Sequence, residues 1–332
     1  MKKWLAIRIT RSIVEIFAVI TFTFFIIRLI PGNPAEALYI QLVYVQRYTP
    51  EAARQIVEAV FNVDFNEPLW NQYLKYITRI LQGDMGKSYT INYGQPVLNL
   101  IMWHLPWTLF SVSIALVLSF FTGILLGMFI AYRRGGQLDR IVTTYSLLTA
   151  SIPSYVIGIL MIFAFCFFIP LFPWGGVYSA NVTPGFNLPF IVDVLRYAAL
   201  PIMSYFIVNM GSWALIMKNS TISVLGEDYV YAAEARGLKD RRIAIKYVGR
   251  NAIMPVFTSL LINLGAIFGG SVFIENLFMY RGVGHLMATA LGYLDYPFLQ
   301  GILNIITFAV IAANLIADVL YGKLDPRIRT GG

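Results

Sequence analysis

The chain has 332 residues, of which 58% are hydrophobic and 13% are charged, and its formal net charge is +8. A soluble domain carries about 25% charged residues, so this composition predicts an integral membrane protein rather than a soluble one. The single cysteine, Cys166, excludes an intrachain disulfide. The two histidines, His104 and His285, lie too far apart in sequence to indicate a metal cluster.

Six apolar segments predict six transmembrane helices, because a span needs about 20 apolar residues. The predicted spans are residues 16–27, 105–132, 141–170, 197–217, 251–274 and 296–317. The first is short, but flanking residues extend it, and the long side chain of Arg28 can reach the interface. Cleavage of this segment as a signal peptide is the alternative. It is disfavoured because the AEA sequence at 35–37 lies far beyond the apolar core and Arg28 intervenes.

The distribution of basic residues predicts the orientation of these spans. With six spans, 17 of the 25 Lys and Arg residues fall on one side, at the two termini, at 133–140 and at 218–250. The other side carries residues 31–100, where six acidic residues outnumber five basic ones. The positive-inside rule then places both termini in the cytoplasm. Because topology accounts for the positive charge, no nucleic-acid partner is expected.

The spans divide the chain into four regions. Residues 1–30 hold the N-terminal segment and the first span, and residues 31–100 form a small extracytoplasmic insertion. Residues 101–322 form a five-helix core that includes a cytoplasmic loop at 218–250, and residues 323–332 form a cytoplasmic tail.

The insertion is predicted to contain two helices. Thr49 is a typical N-cap and Pro50 is favoured at the first helical position, so one helix starts here. A second is predicted across 68–82, where apolar residues recur at three- and four-residue spacing. We expect this apolar stripe to form the core of a small external cap.

Four prolines lie inside predicted spans: Pro106, Pro153, Pro201 and Pro255. Each of them either marks a bend or is tolerated in a helix that does not bend.

The cytoplasmic loop is too long to be a simple connection. Residues 227–236 and 239–247 predict two short helices that meet at an angle at Gly237, which takes the positive-φ position that ends the first helix. Acidic residues begin the first helix and Arg236 ends it, which suits the helix dipole. Small alanine side chains in this helix allow another protein surface to approach closely. An amphipathic helix on anionic lipid is the alternative, which the acidic start and the lack of a large apolar face disfavour.

The sequence YAAEARG (231–237), followed by RNAIMP (250–255), resembles the EAA loop of ABC-transporter importer permeases, and more closely that of the dipeptide/oligopeptide branch. Further segments in the same order resemble that branch: RLIPGNPA (28–35), LQGDMGKSY (81–89), RGVGHL (281–286), LDYPFLQG (294–301) and YGKLDPRIR (321–329). Each motif alone has limited specificity, whereas the ordered set covers essentially the whole chain. The chain differs from the general EAA loop at two places. Tyr231 stands in place of the loop's first Glu, and Gly249-Arg250 stand in place of its Leu-Pro. At both places the sequence is similar to that of the peptide branch.

The resemblance implies an all-α integral membrane protein with the six-helix type I ABC importer permease fold. It implies a subunit, located in a prokaryotic inner membrane, that translocates short peptides delivered by an extracytoplasmic binding protein. The chain would not be an enzyme and would hold no cofactor or metal, because ATP and Mg²⁺ would be bound by partner subunits. The implied partners are a second homologous permease in a heterodimer, two cytoplasmic ATPase subunits, the binding protein and the lipid bilayer. The residues carried over as ATPase contacts are Asp228, Tyr229, Ala232, Ala233, Gly237, Arg241 and Arg242.

Polar residues in and beyond the later spans are candidates for substrate and binding-protein contacts. The candidates for the translocation path are Asn209, Ser212, Asn263, Asn304 and Asn314, for which interhelical hydrogen bonds are the more ordinary role. The candidates for docking the binding protein are Glu275, Arg281 and His285, for which solvation at a helix end is the ordinary role. Asp318 lies near the cytoplasmic end of the last span, where we expect capping or an interface role rather than substrate contact.

Three alternative functions are weighed against peptide import. The same type of transporter could carry oligosaccharides, because a 15% aromatic content permits stacking on sugars. An ion-driven secondary transporter predicts inverted repeats and paired midplane carboxylates, and neither is visible. A membrane enzyme would need a cluster of nucleophilic or acid–base residues, and none is visible.

The stretch GDMGKS (83–88) has the ending of a phosphate-binding loop. Such a loop needs a glycine five residues before its second glycine, and that position is Leu81, so Gly83 comes two residues too late. The predicted topology also places this stretch outside the cytoplasm, away from ATP. We therefore interpret it as a Gly-rich turn that leads from the insertion to the second span.

Overall fold

The computed structural model describes residues 2–29, 34–61, 68–92 and 94–324. Within these ranges the regular secondary structure is helical, apart from an isolated antiparallel bridge between Lys87 and Pro96. The predicted all-α fold class is therefore confirmed. Parts of the predicted segments RLIPGNPA and YGKLDPRIR, and most of the predicted tail, lie outside the described residues.

The helices are numbered in chain order. The first seven are α1 (Lys2–Leu29), α2 (Pro34–Ile40), α3 (Pro50–Phe61), α4 (Leu69–Leu81), α5 (Val97–Tyr132), α6 (Gln137–Ser151) and α7 (Ser154–Ile162). The others are α8 (Leu188–Leu225), α9 (Asp228–Ala235), α10 (Asp240–Arg242), α11 (Arg250–Ala266), α12 (Val272–Leu277), α13 (Val283–Gly292) and α14 (Tyr296–Leu324). Three π-helical segments follow α2, α7 and α10, at Gln41–Val45, Phe163–Phe168 and Ile243–Gly249.

Four of these helices are long and apolar enough to cross a bilayer. They are Ala6–Leu29 within α1, the whole of α5 and α8, and Tyr296–Ile316 within α14. A further candidate is a bent pair, Gln137–Ser151 with Ser154–Phe168, whose arms meet at 100°. The predicted fifth span, residues 251–274, is not one continuous helix in the described chain. Within the described residues, four or five spans therefore pass by length and composition, and the shorter apolar helices Ile267–Leu277 and Val283–Gly292 accompany them.

Pro153 explains the bend in the third predicted span. A proline disfavours helical backbone at the residue before it, and Ile152 is extended, with φ −99° and ψ 124°. Helix α7 restarts directly after the proline. By contrast, Pro106, Pro201 and Pro255 lie inside helices that continue through them. Only one of the four predicted bend sites therefore interrupts its span.

The predicted fifth span is interrupted at Gly270. Helix α11 ends at Ala266, a single 3-10 turn follows at Ile267–Gly269, and Gly270 has a φ of +58° before α12 begins. A Cβ at Gly270 would overlap the carboxyl group of Glu275 and the methyl group of Thr108. Hydropathy averaged over the length of a span does not show this break, because its two glycines and one serine (269–271) lie between strongly apolar residues on both sides.

The helices group into two compact units, Met1–Pro106 with Gly282–Gly332, and Trp107–Arg281. In the first unit, α1 packs along α14, and Arg8 forms an ion pair with Asp318. Asp318 therefore has the interface role that the sequence predicts for it. The core of this unit includes Phe298 and Ile302 of α14 and Ile101 of α5, all fully buried.

The insertion helices belong to this first unit. Helix α3 starts at Pro50, and the backbone N–H of Ala52 donates to the Thr49 hydroxyl at 3.3 Å, so the predicted cap is confirmed. Helix α4 starts at Leu69, as the apolar periodicity predicts. Its buried residue Tyr73 donates or accepts a 2.8 Å hydrogen bond with the Thr21 hydroxyl of α1.

In the second unit, α8 packs against α6, α7 and α11. A buried ion pair joins α6 to α8, with the ammonium group of Lys218 2.5 Å from the carboxylate of Asp139. The same carboxylate accepts from the backbone N–H of Gly135 at 2.9 Å and from the Thr143 hydroxyl at 3.1 Å. Lys218 also donates to Thr143 at 2.8 Å, so both charges are satisfied within a closed network.

Breaking this ion pair should destabilise the second unit strongly. We expect Lys218→Met to lower the free energy of unfolding by about 3–5 kcal/mol, because it leaves a buried carboxylate without a counter-charge. Chemical unfolding in detergent micelles measures this difference. Replacing both charges in Asp139→Leu/Lys218→Met should recover most of the loss, and the exposed Arg134→Met serves as a surface control. Equal stability of Lys218→Met and Arg134→Met would contradict the assignment.

Candidate functional site

The segment between α8 and α11 forms a short helical hairpin. Helix α8 ends at Leu225, and α9 begins three residues later at Asp228. Helix α10 then continues without a break through the π-helical segment Ile243–Gly249 into α11. The sequence predicts a separate second helix ending at Tyr247. The structure instead joins that helix to α11, because Gly249 keeps helical backbone angles, with φ −58° and ψ −40°.

This hairpin has a hydrophobic core of its own. The buried side chains are Val230, Ala233, Ile243 and Val248, and Leu238 and Tyr247 pack against them. The Asn251 amide of α11 also donates to the Tyr229 hydroxyl of α9 at 2.7 Å. The two arms of the hairpin are therefore held together by packing and by a side-chain hydrogen bond, and α9 cannot tilt without moving the start of α11.

Gly237 ends α9 as the sequence predicts. Its φ is +70°, its N–H donates to the carbonyl of Glu234 at 2.8 Å, and the N–H of Leu238 donates to the carbonyl of Ala233 at 3.3 Å. This pair of bonds is the Schellman arrangement, in which glycine occupies the left-handed position after a helix. Leu238 completes it by packing in the same core as Ala233.

The residues predicted to contact an ATPase divide into exposed and buried ones. Asp228, Ala232, Arg241 and Arg242 are exposed, and Tyr229 is 38% exposed. They leave a surface of polar, aromatic and small groups on the outside of the hairpin. Ala233 is only 3% exposed and faces the hairpin core. Its small size serves packing within the chain rather than contact with another protein.

The five predicted path residues are divided between the two units: Asn209, Ser212 and Asn263 lie in the second, and Asn304 and Asn314 lie in the first. Asn209 and Asn263 donate to the carbonyls of Tyr205 and Ser259, four residues earlier in their own helices. Ser212 is half-buried on α8, and Asn314 is exposed on α14. The buried Asn304 donates to the Tyr76 hydroxyl at 2.9 Å, which ties α14 to α4. Asn304 therefore forms an interhelical hydrogen bond, which is the ordinary role of an asparagine inside a span.

The three predicted docking residues have different surroundings. Arg281 is exposed and His285 is half-buried on α13. Glu275 is 0% exposed and accepts a 2.9 Å hydrogen bond from the Thr108 hydroxyl, in a space that Gly270 leaves open. Burial removes Glu275 from any docking surface, which corrects the expectation for this residue.

The last residue of the stretch GDMGKS and the three residues after it surround an anion, which is the carboxylate of Asp295. One of its oxygens accepts from the Ser88 hydroxyl at 2.6 Å, from the N–H groups of Tyr89 and Thr90 at 3.0 Å, and from that of Ile91 at 3.4 Å. The other accepts from the N–H of Phe298 at 3.3 Å, so Asp295 also caps α14.

This contact joins two of the segments that resemble the peptide branch, LQGDMGKSY (81–89) and LDYPFLQG (294–301). Asp295 is 0% exposed, and Ser88 is 1% exposed. The turn at Gly83 and Gly86 has the left-handed backbone expected of a Gly-rich turn, with φ values of +78° and +84°. The sequence offers no signal for the role of Asp295 beyond its position at the start of a helix, since its partners lie more than 200 residues away.

The fold and the hairpin define a helical, multi-pass membrane protein with a compact protrusion between two of its apolar helices. Residues 123–330 match the model of the family described as binding-protein-dependent transport system inner membrane component. The chain belongs to this family, whose members are transport components rather than enzymes.

Relatives with known names match over almost their whole length. The chain is 30% identical over 347 residues to the di/tripeptide transport system permease protein DppB of Pseudomonas aeruginosa, with 99% of each chain covered. It is 30% identical over 328 residues to the oligopeptide transport system permease protein AppB of Bacillus subtilis, again with 99% of each covered. The oligopeptide permease OppB of Haemophilus influenzae is 30% identical over 329 residues. The resemblance to peptide permeases is thus confirmed.

A β-branched residue at Gly237 should loosen the hairpin. No atom lies within 4 Å of a Cβ built there, so the cost is that of the left-handed backbone alone, about 1–2 kcal/mol for an ordinary side chain. We expect Gly237→Val to weaken retention of the ATPase subunits and to reduce coupled transport. Gly237→Asn is the matched control, because asparagine tolerates this conformation. Normal assembly and transport by the valine variant would show that the geometry of this turn is not needed.

Removing the Asp295 carboxylate should release the loop that surrounds it. We expect Asp295→Ala to lower the free energy of unfolding by about 3 kcal/mol, because it leaves buried donors unsatisfied. Limited trypsin digestion should then cleave more readily after the exposed Lys87. The control is Asp84→Ala, which removes an exposed carboxylate that accepts only from the N–H of Gly86, at 2.8 Å. Identical digestion patterns for the two variants would contradict the anchoring role.

Proposed function

We propose that this chain is the permease subunit of an ATP-driven importer that translocates short peptides delivered by an extracytoplasmic binding protein. The observation that carries the proposal is the full-length similarity to peptide permeases of three bacteria, together with the hairpin at 226–249. The names of these relatives favour peptides over oligosaccharides as cargo. The family description supports import through a binding protein rather than ion-driven transport.

We propose that the exposed side of the hairpin contacts a cytoplasmic ATPase subunit. Asp228, Tyr229 and Ala232 lie on α9, and Arg241 and Arg242 begin the second arm. A force on α9 passes through the shared core to Ile243–Gly249 and so into α11, because these elements pack as one body. It also passes directly back into α8, from which α9 is separated by two residues. ATP and Mg²⁺ belong to the partner subunit in this scheme.

The remaining partners and the orientation follow from the same proposal. We place both termini in the cytoplasm, on the side of the basic hairpin, in line with the excess of Lys and Arg there. We propose that a second, homologous permease completes the path as a heterodimer with this chain, and that two ATPase subunits join them. Arg281 and His285 stay candidates for contact with the binding protein.

The proposal is tested by transport in proteoliposomes that contain the complex co-purified with this chain. We expect uptake of labelled di- to pentapeptides that needs both internal ATP and the binding protein, with a non-hydrolysable ATP analogue as the control. Unlabelled peptides should compete, and oligosaccharides of similar size should not. Competition by oligosaccharides alone would assign the other cargo, and uptake driven by an ion gradient without ATP would reject the transporter type.

A further inference from the structure

Helix α4 has three distinct sides. One side contacts α1, where Tyr73 bonds to Thr21, and its ring lies 5.3 Å from that of Phe24. A second side is polar, with the exposed residues Asn71, Lys75, Thr78 and Arg79. The third side is apolar and exposed, with Trp70 61%, Leu74 47% and Leu81 81% accessible. Residues four and eleven positions apart lie on the same side of a helix, so these three form one stripe.

The contacts of α4 place it at membrane depth. It meets α1 between Thr21 and Arg28, within the last turns of the apolar segment that ends at Leu29. Thr21 is eight residues from Leu29, or about 12 Å along the helix. Helix α4 also contacts α14, where the Tyr76 hydroxyl bonds to Asn304. Asn304 likewise lies eight residues inside an apolar segment, the one that starts at Tyr296. Both contacts are thus buried about 12 Å from the ends of two candidate spans.

The exposed stripe of α4 continues the exposed apolar surface of α1. Phe25 of α1 is 39% exposed and stacks on Tyr73 with ring centroids 5.6 Å apart. Tyr73 in turn lies 5.5 Å from the ring of Trp70. These three rings connect the exposed apolar surface of α1 to the exposed apolar stripe of α4.

We propose that α4 is an interfacial helix whose stripe of Trp70, Leu74 and Leu81 contacts lipid, in the leaflet at the C-terminal end of α1. The composition suits this role, because helices that lie in the interface combine aromatic and leucine residues on one side with Lys and Arg on the other. The long side chains of Lys75 and Arg79 can reach the headgroup phosphates from that depth. The apolar residues of α4 are thus shared between α1 and lipid. The sequence predicts instead that they form the core of an external cap.

The test is the accessibility of single nitroxide labels on the full-length chain, with any subunits that co-purify, in vesicles of phosphatidylethanolamine and phosphatidylglycerol. Cys166→Ser removes the only native thiol, and single cysteines are introduced by Leu74→Cys and, as the matched control on the polar side, Lys75→Cys. Power saturation then compares collisions with oxygen, which concentrates in lipid, and with a water-soluble nickel chelate.

We expect the label at Leu74 to gain collisions with oxygen and to lose those with nickel, and the label at Lys75 to show the reverse. Leu81→Cys provides a second position on the same stripe, in case the first variant does not accumulate. Nickel collisions at Leu74 equal to those at Lys75 would show that the stripe faces water. A label at Leu74 that neither reagent reaches would show that protein covers the stripe. Either result overturns the proposal.

Discussion

Burying a carboxylate among apolar helices costs several kcal/mol unless groups elsewhere in the fold satisfy it, and this constraint organises both units of the chain. Three acidic residues are buried in the described part, and each is bonded to a residue far away in sequence. Asp139 pairs with Lys218, Glu275 accepts from Thr108, and Asp295 accepts from Ser88 and the backbone that follows it. A helix that carries such a group cannot slide past its neighbour without exposing an unsatisfied charge.

The proposed coupling surface depends on the same constraint. Lys218 lies ten residues before Asp228, so the ion pair with Asp139 holds the end of α8 from which the hairpin emerges. The hairpin adds its own core, and Gly237 sets the angle between its arms. Motion of a bound ATPase would therefore act on a body that is rigid locally and is fixed to α8 and α11. In this scheme the chain contributes positioning and transmission, and the partner contributes the chemistry.

For the stretch GDMGKS the sequence correctly predicts a Gly-rich turn, but it does not predict the contact with Asp295. Its glycines do form a turn, and the backbone N–H groups of the residues directly after it converge on an anion, as in a phosphate-binding loop. The anion is a carboxylate of the same chain, and the result is a fixed connection between this loop and the start of α14. Helix α4 is similar: its periodicity predicts its existence, but its partners are α1 and α14, and its remaining apolar side is exposed.

The sequence by itself determined the all-α membrane class, the family and most of the helices, because hydropathy, capping residues and ordered motifs act over short stretches of chain. It also determined the turn at Gly237, whose backbone requirement is local. Only the tertiary structure decided that Ala233 and Glu275 are buried, which of the four prolines interrupts its helix, that the fifth predicted span breaks at Gly270, and that Asp295 anchors a distant loop. Each of these depends on which residues meet in space. Apolar periodicity carries no information about the partner of a buried polar group, and a helix break inside an apolar run leaves its hydropathy unchanged.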